Sequence, residues 1–218
     1  MASNFDLLIF DMDGTLYDFV ESNDHTILSS KFYKEVETNG TRFIAQRLSI
    51  SLEEANVIRK RVFDLYNGDI SIGLEKEYEI SKREYFQNVW NIDARKYFNR
   101  NEKLINLISD ISEKKVILTA APIVWADNAL KQLGIYDLFD GIWSGDDDIR
   151  KPNAEAYKQI LDYFKIRPER TLVIDDEQRC LEQAKSLGIQ TMLKGRPGTD
   201  NKAVDYIIRE IYEITRYL

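Results

Sequence analysis

Six side chains in this chain of 218 residues are of the types that could do chemistry together: Asp11, Asp13, Thr119, Lys151, Asp175 and Asp176. Asp11 and Asp13 stand one residue apart at the end of Leu7-Leu8-Ile9-Phe10, an apolar run that suits a strand buried on both faces. On a strand, positions 11 and 13 share a face. Two carboxylates so close repel unless a cation lies between them or one stays protonated. A hard cation such as Mg2+ suits that place, taking oxygen ligands from Asp11 and Asp13 while keeping several waters. Read alone, the stretch also fits an ordinary strand followed by an Asp-Gly turn at Gly14.

The other four residues repeat the pattern of a polar group at the end of an apolar run. Val116-Ile117-Leu118 leads into Thr119, whose hydroxyl can bind a phosphate oxygen, and Leu172-Val173-Ile174 leads into Asp175-Asp176. Lys151-Pro152 lies between them, a cation placed at a helix entrance by its proline. Singly, Thr119 reads as a strand-end hydroxyl and Lys151 as a solvated charge. Together, four carboxylates, a hydroxyl and an ammonium make a complete set for phosphoryl transfer. Asp11 would attack phosphorus and form an aspartyl-phosphate, and Asp13 would protonate the leaving oxygen and then activate water. Thr119 and Lys151 would hold the phosphoryl oxygens, and Asp176 with Asp11 would hold the metal.

These residues need a sheet to converge on. Strand and helix patterns alternate from residue 101 onward: a helix over 101–111, a strand over 116–119, a helix over 125–133 stopped by Gly134, and a short strand over 141–143. A helix over 154–164, a strand over 171–174, a helix over 181–187, a strand over 190–193 and an edge strand over 206–208 follow. This alternation predicts an α/β fold with a doubly wound parallel sheet, in which ligands bind beyond the carboxyl ends of the strands. Residues 18–97 read differently. Leu52, Ala55, Ile58, Val62 and Tyr66 recur at helical spacing, and Ser51 with Glu54 and Ser81 with Glu84 read as capping boxes. That block predicts an all-helical insertion without strands. Whether Asn39-Gly40 breaks a helix there is left open by the pattern. Asp146-Asp147-Asp148 reads as a solvated loop, Gly195-Arg196-Pro197-Gly198 as a turn, and His25 as an exposed helix-start residue. Cys180, Trp125 and Trp143 read as core or rim packing, and Trp90 as core.

Composition narrows the partners. With 44% hydrophobic and 31% charged residues the chain is an ordinary globular one, and a net charge of −7 argues against a surface that tracks nucleic-acid phosphates. A single cysteine forms no internal disulfide, and no apolar run approaches a membrane span. The expected location is cytoplasmic, the expected partner a small phosphorylated metabolite, and the expected state a monomer or homodimer.

The ordered set Asp11-Met12-Asp13-Gly14-Thr15-Leu16-Tyr17, Thr119, Lys151-Pro152 and Asp175-Asp176 resembles the four motifs of the haloacid dehalogenase superfamily of phosphatases. The resemblance implies a Rossmann-like core at 1–17 and 98–218, a helical cap at 18–97, and Mg2+ as cofactor. It places Asp176 ahead of Asp175 as metal ligand, Asp175 coordinating directly or through water. True dehalogenases lack an acid at the position of Asp13, so the resemblance implies a phosphatase. Thr15-Leu16-Tyr17, Leu65-Tyr66-Asn67-Gly68, Ala121-Pro122, Leu133-Gly134-Ile135 and Leu138-Phe139-Asp140-Gly141-Ile142 are further similar to the pyrimidine 5'-nucleotidase-like branch, as is Ile174-Asp175-Asp176. That implies a pyrimidine nucleoside monophosphate as substrate, with phosphoglycolate or a sugar phosphate as the alternative. Gly14 stands where that branch usually has Asn. Ala120 stands where Asn commonly follows the Thr, so its backbone N–H is what it offers to phosphate. Signalling receiver domains also gather aspartates, a threonine and a lysine, but they run to about half this length, order the residues differently and carry no inserted cap.

Overall fold

In the computed structural model, which describes residues 4–19, 27–196 and 202–218, the apolar run of residues 7–10 is the central strand of a six-stranded sheet. β1 (Leu7–Phe10), β2 (Lys114–Leu118), β3 (Gly141–Trp143), β4 (Thr171–Asp175), β5 (Gln190–Lys194) and β6 (Tyr206–Ile208) lie in the order β3-β2-β1-β4-β5-β6. All pair in parallel. The chain builds outward from β1 to one side, then crosses to begin β4 on the other, so the order reverses between β1 and β4. Such a reversal opens a crevice at the carboxyl ends of the two strands. Every residue of β1 is fully buried, as its unbroken apolar sequence requires. Leu7 and Ile9 pack with Val116, Leu118 and Val173 against Tyr157, Ile160, Leu181 and Ala184 from two flanking helices. Those helices are α7 (Ala154–Phe164) and α8 (Gln178–Ser186); α5 (Glu102–Asp110) and α6 (Ile123–Leu133) complete the crossovers.

Register places the chemistry. Phe10 pairs with both Ile117 and Ile174, so Asp11 stands level with Leu118 and Asp175, one residue short of Thr119 and Asp176. The Asp11 N–H continues the ladder by donating to the Ile174 carbonyl at 2.9 Å.

The chain divides into two compact units, Met1–Phe19 with Phe98–Leu218, and Val20–Tyr97. The second is helical throughout its described residues: α1 (Lys31–Leu48), α2 (Leu52–Leu65), α3 (Ile70–Tyr78) and α4 (Lys82–Val89). Asn39-Gly40 does not break α1. Gly40 is buried, and the Asn39 side chain donates to the Val89 carbonyl at 3.2 Å, so these residues serve helix packing instead of a turn. The buried face of α2 also differs from the expected one. Ala55, Arg59 and Val62 are buried while Leu52 is 58% exposed. Arg59 tolerates burial because Glu37 pairs with it at 3.0 Å and Thr41 accepts from it at 3.2 Å. Among the described residues no helix is long and apolar enough to cross a membrane. His25 and Pro197-Gly198 lie outside the described residues.

α2 begins with a reciprocal cap: the Ser51 hydroxyl accepts from the Glu54 N–H at 3.2 Å, and the Glu54 carboxylate accepts from the Ser51 N–H at 3.0 Å. Replacing Ser51 with Ala removes one acceptor and should cost about 1 kcal/mol. Urea unfolding followed by helical circular dichroism measures it, and an unchanged midpoint would show the cap to be idle.

Candidate active site

The crevice between β1 and β4 centres on one buried cation. Lys151 Nζ pairs with Asp11 Oδ1, and with Asp175 Oδ2 at 2.9 Å; the three side chains are 5%, 5% and 2% exposed. Burial works against the lysine's charge, but the two carboxylates outweigh it and hold its pKa well above the ordinary value. Lys151 stands in the loop before α7, and its helix entrance is made by a different residue than expected. Asn153 caps α7, accepting from the Glu155 N–H at 2.9 Å, so Pro152 precedes the cap and does not occupy the first turn.

The four acids are partnered unequally. Asp175 is partnered on both oxygens, taking Lys151 on one and the Glu177 N–H on the other at 2.8 Å. Asp11 Oδ2 is buried with no hydrogen-bond partner. Asp176 Oδ1 receives the Thr15 hydroxyl at a long 3.4 Å. Burial, then the charge of Asp11, pushes Asp176 up to about 8; burial pushes Asp175 up to about 7, though Lys151 opposes it. Gly14 makes room for Asp176: a Cβ on Gly14 would lie 2.4 Å from Asp176 Oδ2, and its φ of +91° is left-handed.

Asp13 points elsewhere than the strand alternation predicts. β1 ends at Phe10, and the chain folds into a tight turn in which Gly14 N–H donates to the Tyr17 carbonyl at 2.9 Å. The Asp13 carboxylate is held there by donors that none of the other acids share. Its Oδ1 accepts from the Tyr17 hydroxyl at 2.7 Å and from Trp125 Nε1 at 3.0 Å. Burial pushes it up to about 6 against those two donors, with the Asp11 charge adding to the rise. Tyr17 and Trp125 carry no motif signal for this role, and a tryptophan at a helix start reads as packing.

Thr119 follows β2 and is buried; its hydroxyl accepts from the Ala121 N–H at 3.0 Å, which shapes the turn, and Ala120 stands exposed at its tip. The acid run expected to be merely solvated supports this turn from the side. Asp146 accepts from the Ile123 N–H at 2.6 Å at the start of α6, and Asp147 accepts from the Ser144 N–H at 2.8 Å. Gly145 N–H donates to the Ala121 carbonyl at 2.8 Å.

Asp11, Asp175 and Asp176 can place three oxygens within 4.8 Å of one another. An oxygen-only donor set, with a buried oxygen left over on Asp11, fits a hard divalent cation. Asp11 and Asp176 have the oxygens to give, and Asp175 orients the lysine. Asp13, expected among the ligands, stands outside this trio; Tyr17 and Trp125 take its Oδ1.

Residues 5–188 match the family model described as haloacid dehalogenase-like hydrolase. In sequence, the chain is 25% identical over 209 residues to the Bacillus subtilis protein named "Putative phosphatase YhcW", covering 94% of this chain and 88% of that one. Over 89 residues it is 28% identical to the validoxylamine A 7'-phosphate phosphatase of Streptomyces hygroscopicus subsp. limoneus, covering 39% of this chain and 42% of that one. In fold it is similar to a phosphatase of the same superfamily from Thermococcus onnurineus, with a TM-score of 0.65, 18% identity and 97% of each chain covered. It is also similar to a 2-haloacid dehalogenase from Pseudomonas syringae pv. Tomato, with a TM-score of 0.62, 15% identity, and 98% of this chain and 97% of that one covered.

The raised acids make cation binding readable without an activity assay. Asp176 keeps a proton in the folded protein up to about 8 that the unfolded chain has released by about pH 4. Its contribution to stability is therefore greatest in acid and declines as pH rises through that window. A divalent cation bound at Asp176 would replace that proton and remove the penalty. The rise in Tm on adding the cation should thus grow from about pH 5 to about pH 8. Thermal melts with cation and with EDTA check this, and a shift independent of pH would contradict it.

Proposed function

The chain belongs to the haloacid dehalogenase-like hydrolases, and from that premise we propose that it is a Mg2+-dependent phosphomonoester hydrolase working through an aspartyl-phosphate on a small metabolite. The observation that carries the reading is Asp13. Fold neighbours include dehalogenases as well as phosphatases, so fold does not choose between them. An acid beside Asp11, oriented by two donors and poised near 6, has a use in ester cleavage, where an oxygen leaving group needs a proton. The names of the two sequence relatives point to the same class.

A carboxylate oxygen of Asp11 attacks phosphorus, the bond from phosphorus to the ester oxygen breaks, and that oxygen takes the proton of Asp13. Water then attacks the phosphorus of the aspartyl-phosphate, Asp13 takes its proton, and Asp11 departs as carboxylate with inorganic phosphate released. Lys151 holds Asp11 in place and offers positive charge beside the incoming phosphoryl group. The Thr119 hydroxyl and the Ala120 N–H line its other side. Mg2+ held by Asp11 and Asp176, with Asp175 behind them, would supply the charge that offsets the phosphate's own. Among esters, the narrower sequence resemblance favours a pyrimidine nucleoside monophosphate.

Phosphate release from UMP, CMP, AMP, phosphoglycolate and a sugar phosphate, with Mg2+ and with EDTA, tests this. UMP and CMP should turn over fastest, and only with Mg2+. Preference for another ester would retain the mechanism and discard the nucleotide. Asp11→Asn keeps the shape and removes the nucleophilic charge, so turnover should fall to background. Asp13→Asn should lose roughly 10²–10⁴-fold. Near-native turnover by Asp11→Asn would sink the covalent mechanism.

A further inference from the structure

The two groups that hold Asp13 are themselves part of one aromatic cluster within the α/β unit. Tyr17 lies 4.5 Å from Phe98 and 5.6 Å from Phe19 between ring centroids, and Trp125 lies 6.1 Å from Phe98 and 6.5 Å from Phe19. Phe19 and Phe98 are the residues at which the chain leaves this unit and returns to it. Trp125 is fully buried, so its indole N–H needs a partner. That partner is a side-chain carboxylate 112 residues away in sequence, and the Tyr17 hydroxyl converges on the same oxygen. Two donors on Oδ1 fix the plane of the carboxyl group and leave Oδ2 for the reaction. Asp13 itself is only partly buried, which keeps it open to a substrate.

We propose that Trp125 and Tyr17 are positioning residues for departure of the leaving group: they aim Asp13 at the ester oxygen, and they tie that aim to the packing of Phe19 and Phe98. The inference rests on the phosphatase reading above. In that step the proton passes from Asp13 to the ester oxygen as its bond to phosphorus breaks. Only leaving groups too basic to depart as anions need this proton. A p-nitrophenolate leaves without it. Loss of aim should therefore penalise alkyl esters selectively, whereas a general loosening of the fold penalises all esters alike.

The test compares kcat/KM of the wild type, Trp125→Phe, Tyr17→Phe and Asp13→Asn with Mg2+, on p-nitrophenyl phosphate and on the alkyl ester turned over best in the panel. This ratio reports only steps up to leaving-group departure, so the later use of Asp13 with water does not enter. Each aromatic variant should lose roughly tenfold on the alkyl ester and less than about twofold on p-nitrophenyl phosphate, in the same direction as Asp13→Asn but less severely. Equal losses on the two esters, or no loss in either variant, would overturn the inference while the selectivity of Asp13→Asn stands. If Asp13→Asn is itself unselective, or the wild type cleaves neither ester, the phosphatase reading fails first and takes the inference with it. Tyr17→Phe removes a single oxygen atom and carries the test even where Trp125→Phe does not fold.

Discussion

The buried Lys151 is the constraint on which the α/β unit depends. An ammonium 5% exposed is tolerable only when carboxylates enclose it, and two carboxylates buried side by side repel unless a cation lies between them, as Lys151 does, or one holds a proton. Neither half of the arrangement stands without the other. To build it, β1 and β4 must be neighbours in matching register, so that residues 11 and 175 end level. The loop before α7 must then deliver the lysine from a segment that belongs to neither strand. α7 is pinned in turn, the Tyr157 hydroxyl donating to the Cys180 carbonyl of α8 at 3.2 Å. The order β3-β2-β1-β4-β5-β6 is what lets one crossover bring a cation to the point where the winding reverses.

Around that pair, one residue type acquires four behaviours through its surroundings alone. Asp175 gives both oxygens to the protein and becomes a strut. Asp11 gives one to the lysine and keeps one. Asp176 meets only a distant hydroxyl, and burial makes it the acid most raised, at about 8. Asp13 is bound by neutral donors, which stabilise its anion without adding a positive charge, and it settles at about 6. Under the proposed mechanism a nucleophile, a proton carrier, a cation ligand and a strut would thus come from identical side chains.

Much of this was legible in the chain itself. The apolar runs ending in Asp11, Thr119 and Asp175 mark strands by composition, and their order with Lys151 marks the chemistry, because both signals are local. What stayed hidden depends on distant partners. Nothing near Trp125 says that its indole meets Asp13, 112 residues earlier. Asp146 looks like one of three idle acids until Ile123 supplies the N–H it accepts. Arg59 breaks an apolar stripe in α2 because Glu37 of α1 neutralises it, and helical periodicity cannot register such a pair. The partners of Asp13 lie beyond the strand pattern for a local reason instead. Alternation holds only while the strand lasts, and β1 stops one residue before Asp11.

The charge of the site bears on how an acidic chain could serve the anionic ester proposed for it. A net charge of −7 repels phosphate at a distance, and within the crevice four carboxylates face a single lysine. Three of those acids have pKa values raised to about 6, 7 and 8, so the site already resists full ionisation near neutral pH. Protons on these acids, or a divalent cation in their place, remove the same repulsion by different means. Protonation of Asp176 would occupy an oxygen that a cation needs, so the two compete. On the proposed function, the same acids that repel phosphate would therefore make its binding depend on a cation. Ester and cation would then be coupled through shared electrostatics, each lowering the free energy of adding the other.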